Sequence, residues 1–501
     1  MNLWDRFQTI VTNLGGDISN QTEYGDDVKR VALLAAVLSS FLAPFMISAV
    51  NIAIPRIAGD FHAGAVEVSW FATAYLLTMA MFLVPFGRIA DIRGRKKVFI
   101  YGMFVYTASS LIAAASVSGL MLIAARLVEG IGAAMIVGTG VAILTSVFPP
   151  RERGRVLGIN VAAVYLGLSL GPFIGGLMTD FVGWRSVFLL NVPLGSIILA
   201  MVFWKLKGDW AGARGERFDL AGSIIYVLML PALVYGLPNL PEQHLAGALF
   251  VGAGVAGIFA FIWWEARLDH PVLDVKLFRH NTIFTFSNLA ALINYSATFA
   301  VAFLLSLYLQ FVKDYSPFIA GLLLVPQPAV MTVLSPFAGR LSDRVEPLFV
   351  ATFGMAVTTL GLFLFVFLGK GTSLAVIIVD LVILGIGFGF FSSPNTSAVM
   401  GAVDRRLYGV AAGTIGTMRT IGQSLSLSVV MLIFAVVIGS TEFVSGVRLT
   451  AAAFPLFLRS VRAAFVVFTL LCAAGIFASM ARGKSRAATP DGSRPADQER
   501  A

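Results

Sequence analysis

Fourteen apolar stretches, each long enough to cross a lipid bilayer as a helix, follow one another between residues 31 and 481. A helix that spans the bilayer needs about 20 consecutive, predominantly apolar residues. Apolar residues make up 58% of the 501-residue chain and charged residues only 13%, and a soluble protein of this length cannot bury so much apolar surface. The sequence therefore predicts an all-α integral membrane protein with 14 transmembrane helices.

Lysine and arginine are distributed unevenly between the two sides of the predicted membrane. By our count, 27 of the 36 lie in the two tails and in the links that follow even-numbered spans, whereas 7 lie in the other links. Basic loops are retained on the cytoplasmic side. We therefore expect a multi-pass protein of the cytoplasmic (inner or plasma) membrane, with both termini in the cytoplasm. The net charge of +9 does not indicate nucleic-acid binding, because the cations form no continuous patch.

A short charged loop occurs at the same place in each half of the chain. Between spans 2 and 3, residues 87–97 contain five cations and a single acid, Asp91. Between spans 10 and 11, residues 339–344 repeat the Gly-Arg-x-x-Asp frame, and a Pro-Phe pair precedes both copies. Such duplication indicates two related helix bundles. We predict two six-helix bundles whose corresponding spans are eight apart, with spans 7 and 8 as additional central helices.

These features divide the chain into five parts. We expect residues 1–30 to form a cytoplasmic N-terminal tail, which has the apolar spacing of a helix lying on the membrane surface; a frayed tail is the alternative. The two bundles occupy residues 31–204 and 265–481, and the linker at residues 205–264 contains the two extra spans. Residues 482–501 are polar and contain proline and glycine, which predicts a disordered cytoplasmic tail.

Several motifs resemble those of a known family. Residues 87–97 fit the G-x-x-x-D-x-x-G-R-[RK] signature of the major facilitator superfamily throughout, and residues 167–176 form a complete G-x-x-x-G-P-x-x-G-G, which resembles the mark of its antiporters. With further segments such as residues 51–55 and 70–77, the chain is similar to the 14-span drug:proton antiporters of the EmrB/QacA type. The resemblance implies a secondary active transporter that exports lipophilic or cationic drugs and toxic compounds by alternating access, in exchange for protons.

The resemblance also assigns roles to the two motifs. It implies that the charged loops latch the cytoplasmic ends of the bundles together in one state, through Gly87, Arg88, Asp91, Gly94, Arg95 and Asp343. The antiporter motif, Gly167, Gly171, Pro172, Gly175 and Gly176, allows a very close helix contact that can bend or rock. The alternatives are a plain topology signal for the loops and an ordinary glycine-rich packing face for span 5. A membrane-fusion partner is also compatible with the family, although no segment of the sequence specifies one.

The coupling site departs from the family pattern. Family members usually carry an aspartate in span 1 five residues before Asn51, and this chain has Met46 there. Arg126 and Glu129 lie three residues apart on one face of span 4, and a charge near the bilayer centre costs roughly 2.5–3.5 kcal/mol, so it is seldom without a role. We hypothesise that Glu129 takes up and releases a proton while Arg126 biases its pKa. A permanently paired structural couple is the alternative.

The remaining candidates are spread over several spans. Asp380 in span 12 is interpreted either as a second protonation site or docking point for a cationic substrate, or as a carboxylate near the membrane interface. Arg419 in span 13 matches a family arginine, for which a structural or gating role is favoured over substrate contact. Aromatic and weakly polar side chains suit lipophilic ligands, although each can equally face lipid or pack between helices. The candidates for the substrate cavity are Tyr75, Asn160, Tyr165, Asn294, Tyr295, Tyr308, Gln310, Asn395 and Arg419.

The sequence contains no motif that indicates an enzyme active site, a metal site or a cofactor site. The four histidines lie in predicted loops without ligand spacing, and the single cysteine, Cys472, lies inside the last span. There is no complete G-x-x-x-x-G-K-[ST] loop that would indicate ATP as the energy source. We expect membrane lipids, a lipophilic small molecule and protons as partners, and no cofactor. Two other functions stay open: a lipid or metabolite exporter of the same fold that is not proton-coupled, and a non-transporting membrane sensor or scaffold, against which the short loops argue.

Overall fold

The computed structural model describes residues 25–240, 243–268, 271–273, 275–342, 344–403, 408–439, 444–445, 448–449 and 453–483. Fourteen helices in this described part are long and apolar enough to cross a membrane. This confirms the prediction of an all-α protein with 14 spans. The predicted surface helix before residue 25, Asp343 of the second charged loop, and the predicted disordered tail beyond residue 483 lie outside the described residues.

The helices follow one another with short connections. Spans 1 to 8 are the helices Asp26–Phe61, Ala65–Arg93, Arg95–Ala114, Gly119–Val147, Pro150–Phe181, Arg185–Lys205, Leu220–Asn239 and His244–Glu265. The short helix Val275–His280 precedes span 9, which consists of Thr282–Thr298 and Ala300–Phe311, and span 10 consists of Pro317–Leu324 and Pro326–Ser342. Spans 11 to 14 are Pro347–Phe365, Leu374–Gly401, Tyr408–Val437 and Ala453–Ala481, and the two-residue strands Val444–Ser445 and Arg448–Leu449 pair antiparallel between spans 13 and 14.

Polar residues at the helix starts explain where several spans begin. The side chains of five N-cap residues accept a hydrogen bond from a backbone N–H in the first turn: Ser118, Asp219, Asn281, Ser316 and Ser373. The first N–H groups of a helix have no partner within the helix, and these side chains supply one. The two halves of span 10 are separate because Pro326 has no N–H with which to continue the preceding helix.

The spans pack in the same pairs in both halves of the protein. In the first half, span 1 packs on spans 5 and 6, span 3 on spans 4 and 6, and span 2 on span 4. The same pairs recur eight spans later: 9 with 13 and 14, 11 with 12 and 14, and 10 with 12. This repetition is the arrangement of two related six-helix bundles that the duplicated loop predicts. The exact domain limits, residues 31–204 and 265–481, stay a prediction.

The two extra spans lie beside the junction of the bundles. Spans 7 and 8 pack on each other, and span 7 also packs on span 2 of the first bundle and span 13 of the second. Span 8 carries large exposed apolar residues, among them Leu245, Leu249 and Phe259. An apolar surface of this size needs a covering, and lipid provides it for a membrane-spanning helix.

The bundles meet mainly along three pairs of spans. Span 2 packs on span 13, span 5 packs on span 10, and the second half of span 9 packs on span 1. We call the membrane side at which span 1 begins the basic face, because residues 87–97 lie there, and the other side the opposite face. Spans 2 and 5 of the first bundle and spans 10 and 13 of the second therefore form most of the contact between the bundles.

Candidate functional site

The bundles are joined by hydrogen bonds at the opposite face. Ser306 Oγ in span 9 donates to the carbonyl oxygen of Asn51 at 2.8 Å, and Gln310 Nε2, one turn further, donates to that of Ile52 at 3.0 Å. All four residues are buried. Gln310, a predicted cavity residue, therefore lies in the contact that closes this face. Tyr308 lies at the same level, where its hydroxyl donates to the Gly369 carbonyl oxygen at 2.7 Å.

The glycines of span 5 bring two helices of the first bundle into backbone contact. A Cβ atom added at Gly171 would lie 2.5 Å from Ser48 Cβ, and one added at Gly175 would lie 2.6 Å from Ala49 Cα. A Cβ at Gly167 would also overlap the backbone of span 1. Only glycine permits this approach, so this face of the motif holds span 5 against span 1.

The same motif also touches the second bundle. A Cβ added at Gly176 would lie 2.5 Å from the Pro317 carbonyl oxygen at the start of span 10, and one at Gly321 would overlap the carbonyl oxygen of Pro172. At Gly158, nearer the basic face on the same span, no atom lies within 4 Å of an added Cβ. Span 5 therefore meets the second bundle most closely toward the opposite face, and the glycines and proline of the motif form that contact.

At the basic face, the charged loop is tied to its own bundle. Arg95 Nε donates to Asp91 Oδ1 at 2.8 Å, and Arg95 Nη1 donates to the Ala142 carbonyl oxygen in span 4 at 2.9 Å. Gly94 between the two helices has a φ of 113°, and an added Cβ would overlap the carboxylate of Asp209. The turn therefore requires glycine for both its backbone conformation and its contact.

The loop also binds the segment that links spans 6 and 7. The Arg95 backbone N–H donates to the Trp210 carbonyl oxygen at 2.9 Å, and the Ala213 N–H donates to that of Asp91 at 2.9 Å. Arg88 pairs with Glu216 at 2.5 Å. Sequence reasoning missed this segment. Acidic residues in a short link on the same membrane side as a basic loop are a signal that could have indicated it.

Arg126 and Glu129 form a buried ion pair inside the first bundle. Arg126 Nη1 donates to Glu129 Oε2 at 2.7 Å, and the two side chains are 2% and 0% exposed. Arg126 also donates through Nε to the Phe71 carbonyl oxygen at 3.3 Å, and its guanidinium carbon lies 4.4 Å from the centre of the Tyr75 ring. Tyr75, a predicted cavity residue, therefore covers the arginine, while its own buried hydroxyl finds no partner in the described chain.

Two further polar side chains complete the shell of Glu129. Ser110 Oγ donates to Glu129 Oε1 at 2.7 Å, and Asn191 Nδ2 approaches the same oxygen at 3.4 Å. Spans 3, 4 and 6 thus each contribute a polar group to one buried carboxylate. Sequence reasoning placed neither Ser110 nor Asn191 at this site, because their partner lies 19 and 62 residues away in the chain.

A second polar cluster lies near the middle of the spans, between the bundles. The hydroxyl of Tyr165 in span 5 is 2.6 Å from Ser392 Oγ in span 12. The ring of Tyr295 in span 9 stacks edge-on against Phe388 at 5.3 Å between centroids. Arg419 in span 13 is partly exposed and lies within electrostatic range of the Tyr165 hydroxyl. The structure therefore brings together three of the predicted cavity residues, one from the first bundle and two from the second.

The other predicted residues lie apart from this cluster. Asn395 is within the second bundle, where its Nδ2 donates to the Ser287 carbonyl oxygen at 3.1 Å and its Oδ1 accepts from Arg482 at 3.2 Å. Burial lowers the pKa of Arg482 to about 10, so the guanidinium stays charged at neutral pH. Asn160 is buried and its Oδ1 has no partner among the described residues, which is also true of both amide atoms of Asn294.

Asp380 lies near the opposite face, apart from the other candidate residues that the structure describes. It is the seventh residue of the span 12 helix, which begins at that face, and it is 4% exposed. In the described part of the chain its carboxylate has neither a hydrogen bond nor an ion pair, so this geometry provides no link between Asp380 and the Arg126–Glu129 pair.

The family follows from a comparison with known sequences. The Major Facilitator Superfamily profile matches residues 36–427. The chain belongs to the major facilitator superfamily. Multidrug resistance protein Stp of Mycobacterium tuberculosis is 29% identical over 415 residues, which are 82% of this chain and 77% of Stp. Together with the 14 spans, this relative confirms the predicted drug-efflux branch of the superfamily, and membership identifies a transporter and not an enzyme.

Two further proteins resemble this chain, one in sequence and one in structure. Riboflavin transporter RibZ of Clostridioides difficile is 29% identical over 398 residues, which are 79% of this chain and 86% of RibZ. A bacterial homologue of the human lysosomal transporter Spinster, solved in an inward-facing and unoccupied conformation, aligns with a TM-score of 0.66 at 15% identity and covers 92% of this chain and 98% of its own. At that identity the structural similarity supports the fold alone.

Proposed function

We propose that this major facilitator protein exports lipophilic compounds across the cytoplasmic membrane in exchange for protons. The basic face would be cytoplasmic, because lysine and arginine concentrate on that side of the chain. With the bundles in contact at the opposite face, compounds would then enter the pathway from the cytoplasm or the inner leaflet. Relatives named as multidrug resistance proteins support drugs and toxic compounds as the substrates.

The observation that carries proton coupling is the enclosed carboxylate of Glu129. It is fully buried, and Arg126, Ser110 and Asn191 surround it. Charge is costly in such a place unless it is paired, so a movement that separates Glu129 from Arg126 would favour the protonated acid. Spans 2, 3, 4 and 6 of the first bundle provide the surrounding groups, and a shift of these spans relative to one another would change their spacing. This route needs no acid at Met46.

The charged loops would act as a latch in the alternate state. In this structure Asp91 pairs with Arg95 within the first bundle. When the cytoplasmic ends approach each other, the loop at residues 87–97 would instead face the second bundle, where Asp343 lies in the corresponding loop. A membrane-fusion partner at the other side would extend the export path, and it stays a prediction from the family.

A liposome assay tests the coupling. Purified protein is reconstituted in sealed vesicles, and uptake or release of acidic, neutral and basic lipophilic dyes is followed with and without a pH gradient. Glu129→Gln keeps the size of the side chain but cannot release a proton. It should lower gradient-driven accumulation at least 10-fold while exchange of dye without a gradient continues. Glu67→Gln removes an acid at the opposite face and serves as the matched control.

The outcomes separate the possibilities that the sequence leaves open. Full gradient-driven transport by Glu129→Gln would contradict the proposed proton role. Dye exchange that is insensitive to the gradient in the wild-type protein would favour a lipid or metabolite carrier that is not proton-coupled, for which Met46 and the relative named as a riboflavin transporter are the supporting observations. No flux of any compound would favour a sensor or scaffold.

A further inference from the structure

Arg419 lies well inside span 13, and no described residue provides it with a counter-ion. It is the twelfth residue of the 30-residue span 13 helix and is only partly exposed. Within the described part of the chain, its guanidinium makes neither an ion pair nor a hydrogen bond. Arg126 in span 4 is, by contrast, paired with Glu129 at 2.7 Å. A charged arginine at such a depth is energetically costly unless a partner or water compensates the charge, and no described residue does so for Arg419.

Among the described residues, the polar groups that can be placed near Arg419 are uncharged hydroxyls. Tyr165 and Ser392 contribute the hydroxyls that lie 2.6 Å apart, and Ser335 Oγ approaches the same tyrosine without completing a hydrogen bond. Ser335 is 5% exposed, so this unpartnered hydroxyl is buried beside the cluster. Hydroxyl groups and a planar guanidinium together match the oxygen atoms of a carboxylate, sulfonate or phosphate.

The carboxylates of the described spans lie elsewhere. Glu129 is enclosed within the first bundle and paired with Arg126, and Asp380 lies toward the opposite face in span 12. Asp219 and Glu265 lie at the ends of spans 7 and 8, at the basic face. A cationic compound at mid-depth would therefore meet the charge of Arg419 without a carboxylate to offset it.

The cluster also has an apolar side. The hydroxyls of Tyr165 and Tyr295 lie within electrostatic range of each other, and the Tyr295 ring packs edge-on against Phe388. A Cβ at Gly422, one turn after Arg419, would lie 2.9 Å from Tyr295 Cβ, which shows how closely spans 9 and 13 approach here. A ligand held at Arg419 would thus rest its apolar part against aromatic rings.

We propose that Arg419, Tyr165 and Ser392 bind the acidic group of an amphipathic organic anion at mid-depth between the bundles. The substrate class would then be lipophilic acids, in preference to the cations that the sequence resemblance implies. The cluster spans both bundles, because Tyr165 belongs to the first, and Ser392 and Arg419 to the second, so it would exist only when the bundles are near each other. The inference rests on the proposed transport function only in placing this site on the pathway.

Equilibrium binding tests the site without requiring transport or a pH gradient. The full chain is placed in phosphatidylcholine nanodiscs, and binding is measured for the fluorescent acid 11-(dansylamino)undecanoic acid, its uncharged methyl ester, and a dansyl alkylamine of similar length. We expect the acid to bind more tightly than the ester and the amine. Arg419→Gln should weaken binding of the acid roughly 10- to 100-fold, which corresponds to the loss of a charge-assisted hydrogen bond, and should change binding of the ester less than twofold.

Three further variants make the test specific. Arg419→Lys keeps the charge and should retain most of the affinity for the acid, which a purely structural role of the arginine would not predict. Tyr165→Phe should weaken binding of the acid severalfold and leave binding of the ester unchanged. Lys370→Gln removes one exposed positive charge at the opposite face and is the matched control, for which no change is expected. Thermal unfolding of each variant identifies any that fails to fold.

The results decide both the site and the source of its ligand. Equal binding of acid, ester and amine, or a folded Arg419→Gln protein with unchanged preference for the acid, would overturn the proposal. Weaker binding of the acid when phosphatidylglycerol is added to the nanodisc would identify anionic lipid as a ligand of the same site, and unchanged binding would identify the free acid. Full gradient-driven transport by Glu129→Gln in liposomes, together with acid binding that depends on Arg419, would contradict the proposed proton coupling and leave this site intact.

Discussion

Replacement of Gly176 by alanine should open the contact between the bundles at the opposite face. The added Cβ would lie 2.5 Å from the Pro317 carbonyl oxygen and 3.0 Å from Phe318 Cα, both backbone atoms that no rotamer change can move away. Inserting a methyl group into a well-packed contact costs about 1–3 kcal/mol. If the alternate state relieves the overlap, this corresponds to a population shift of about 5- to 150-fold.

Distances between spin labels measure that shift. Gly64, between spans 1 and 2, and Gly371, between spans 11 and 12, lie on the opposite face in different bundles, and a Cβ at either position finds no atom within 4 Å. Cysteines there can be labelled selectively, because the single native cysteine, Cys472, is buried. Gly176→Ala should move the distance distribution toward longer values.

Gly158→Ala is the matched control, because it adds the same methyl group to the same helix where no atom lies within 4 Å. Its distance distribution should equal that of the parent protein. Gly321→Ala, which would overlap the carbonyl oxygen of Pro172 from the other side of the contact, should act like Gly176→Ala. An unchanged distribution in both Gly176→Ala and Gly321→Ala, with the proteins folded, would refute the inference that these glycines hold the face closed.

Two further predictions concern stability, measured by thermal unfolding of the purified protein in detergent. Arg126→Met should be strongly destabilising, because an unpaired Glu129 charge left in the interior costs about 3–5 kcal/mol; adding Glu129→Gln should recover most of the loss, and simple additivity would contradict the pairing. Gly94→Ala should cost about 1–3 kcal/mol, because φ is 113° and the new methyl group would overlap the Asp209 carboxylate. Asp209→Ala in the Gly94→Ala background should restore the part of the stability that is lost through overlap with the carboxylate. If it restores none, the whole loss of stability comes from the backbone conformation at residue 94.

The architecture could be predicted from the sequence because a bilayer imposes simple rules. Backbone groups in lipid must be hydrogen-bonded within the protein, so each long apolar stretch forms a helix. The number of spans can therefore be counted from the sequence. The repeated Gly-Arg-x-x-Asp frame then predicts the offset of eight spans between corresponding helices, and the pairs that pack in each half show this offset. The proximity of Arg126 and Glu129 could also be predicted from the sequence, since residues three apart share a helix face.

The environment of the candidate site was decided only by tertiary structure. The sequence shows that span 5 is rich in glycine, but only the packing shows that Gly175 contacts span 1 and Gly176 contacts span 10. Likewise, nothing near Arg419 in the sequence reveals that its charge has no partner among the described residues, because a counter-ion would come from a distant span. Helices are specified by local periodicity, whereas a site between bundles depends on which faces of separate helices meet, and that is determined by the packing of the whole molecule.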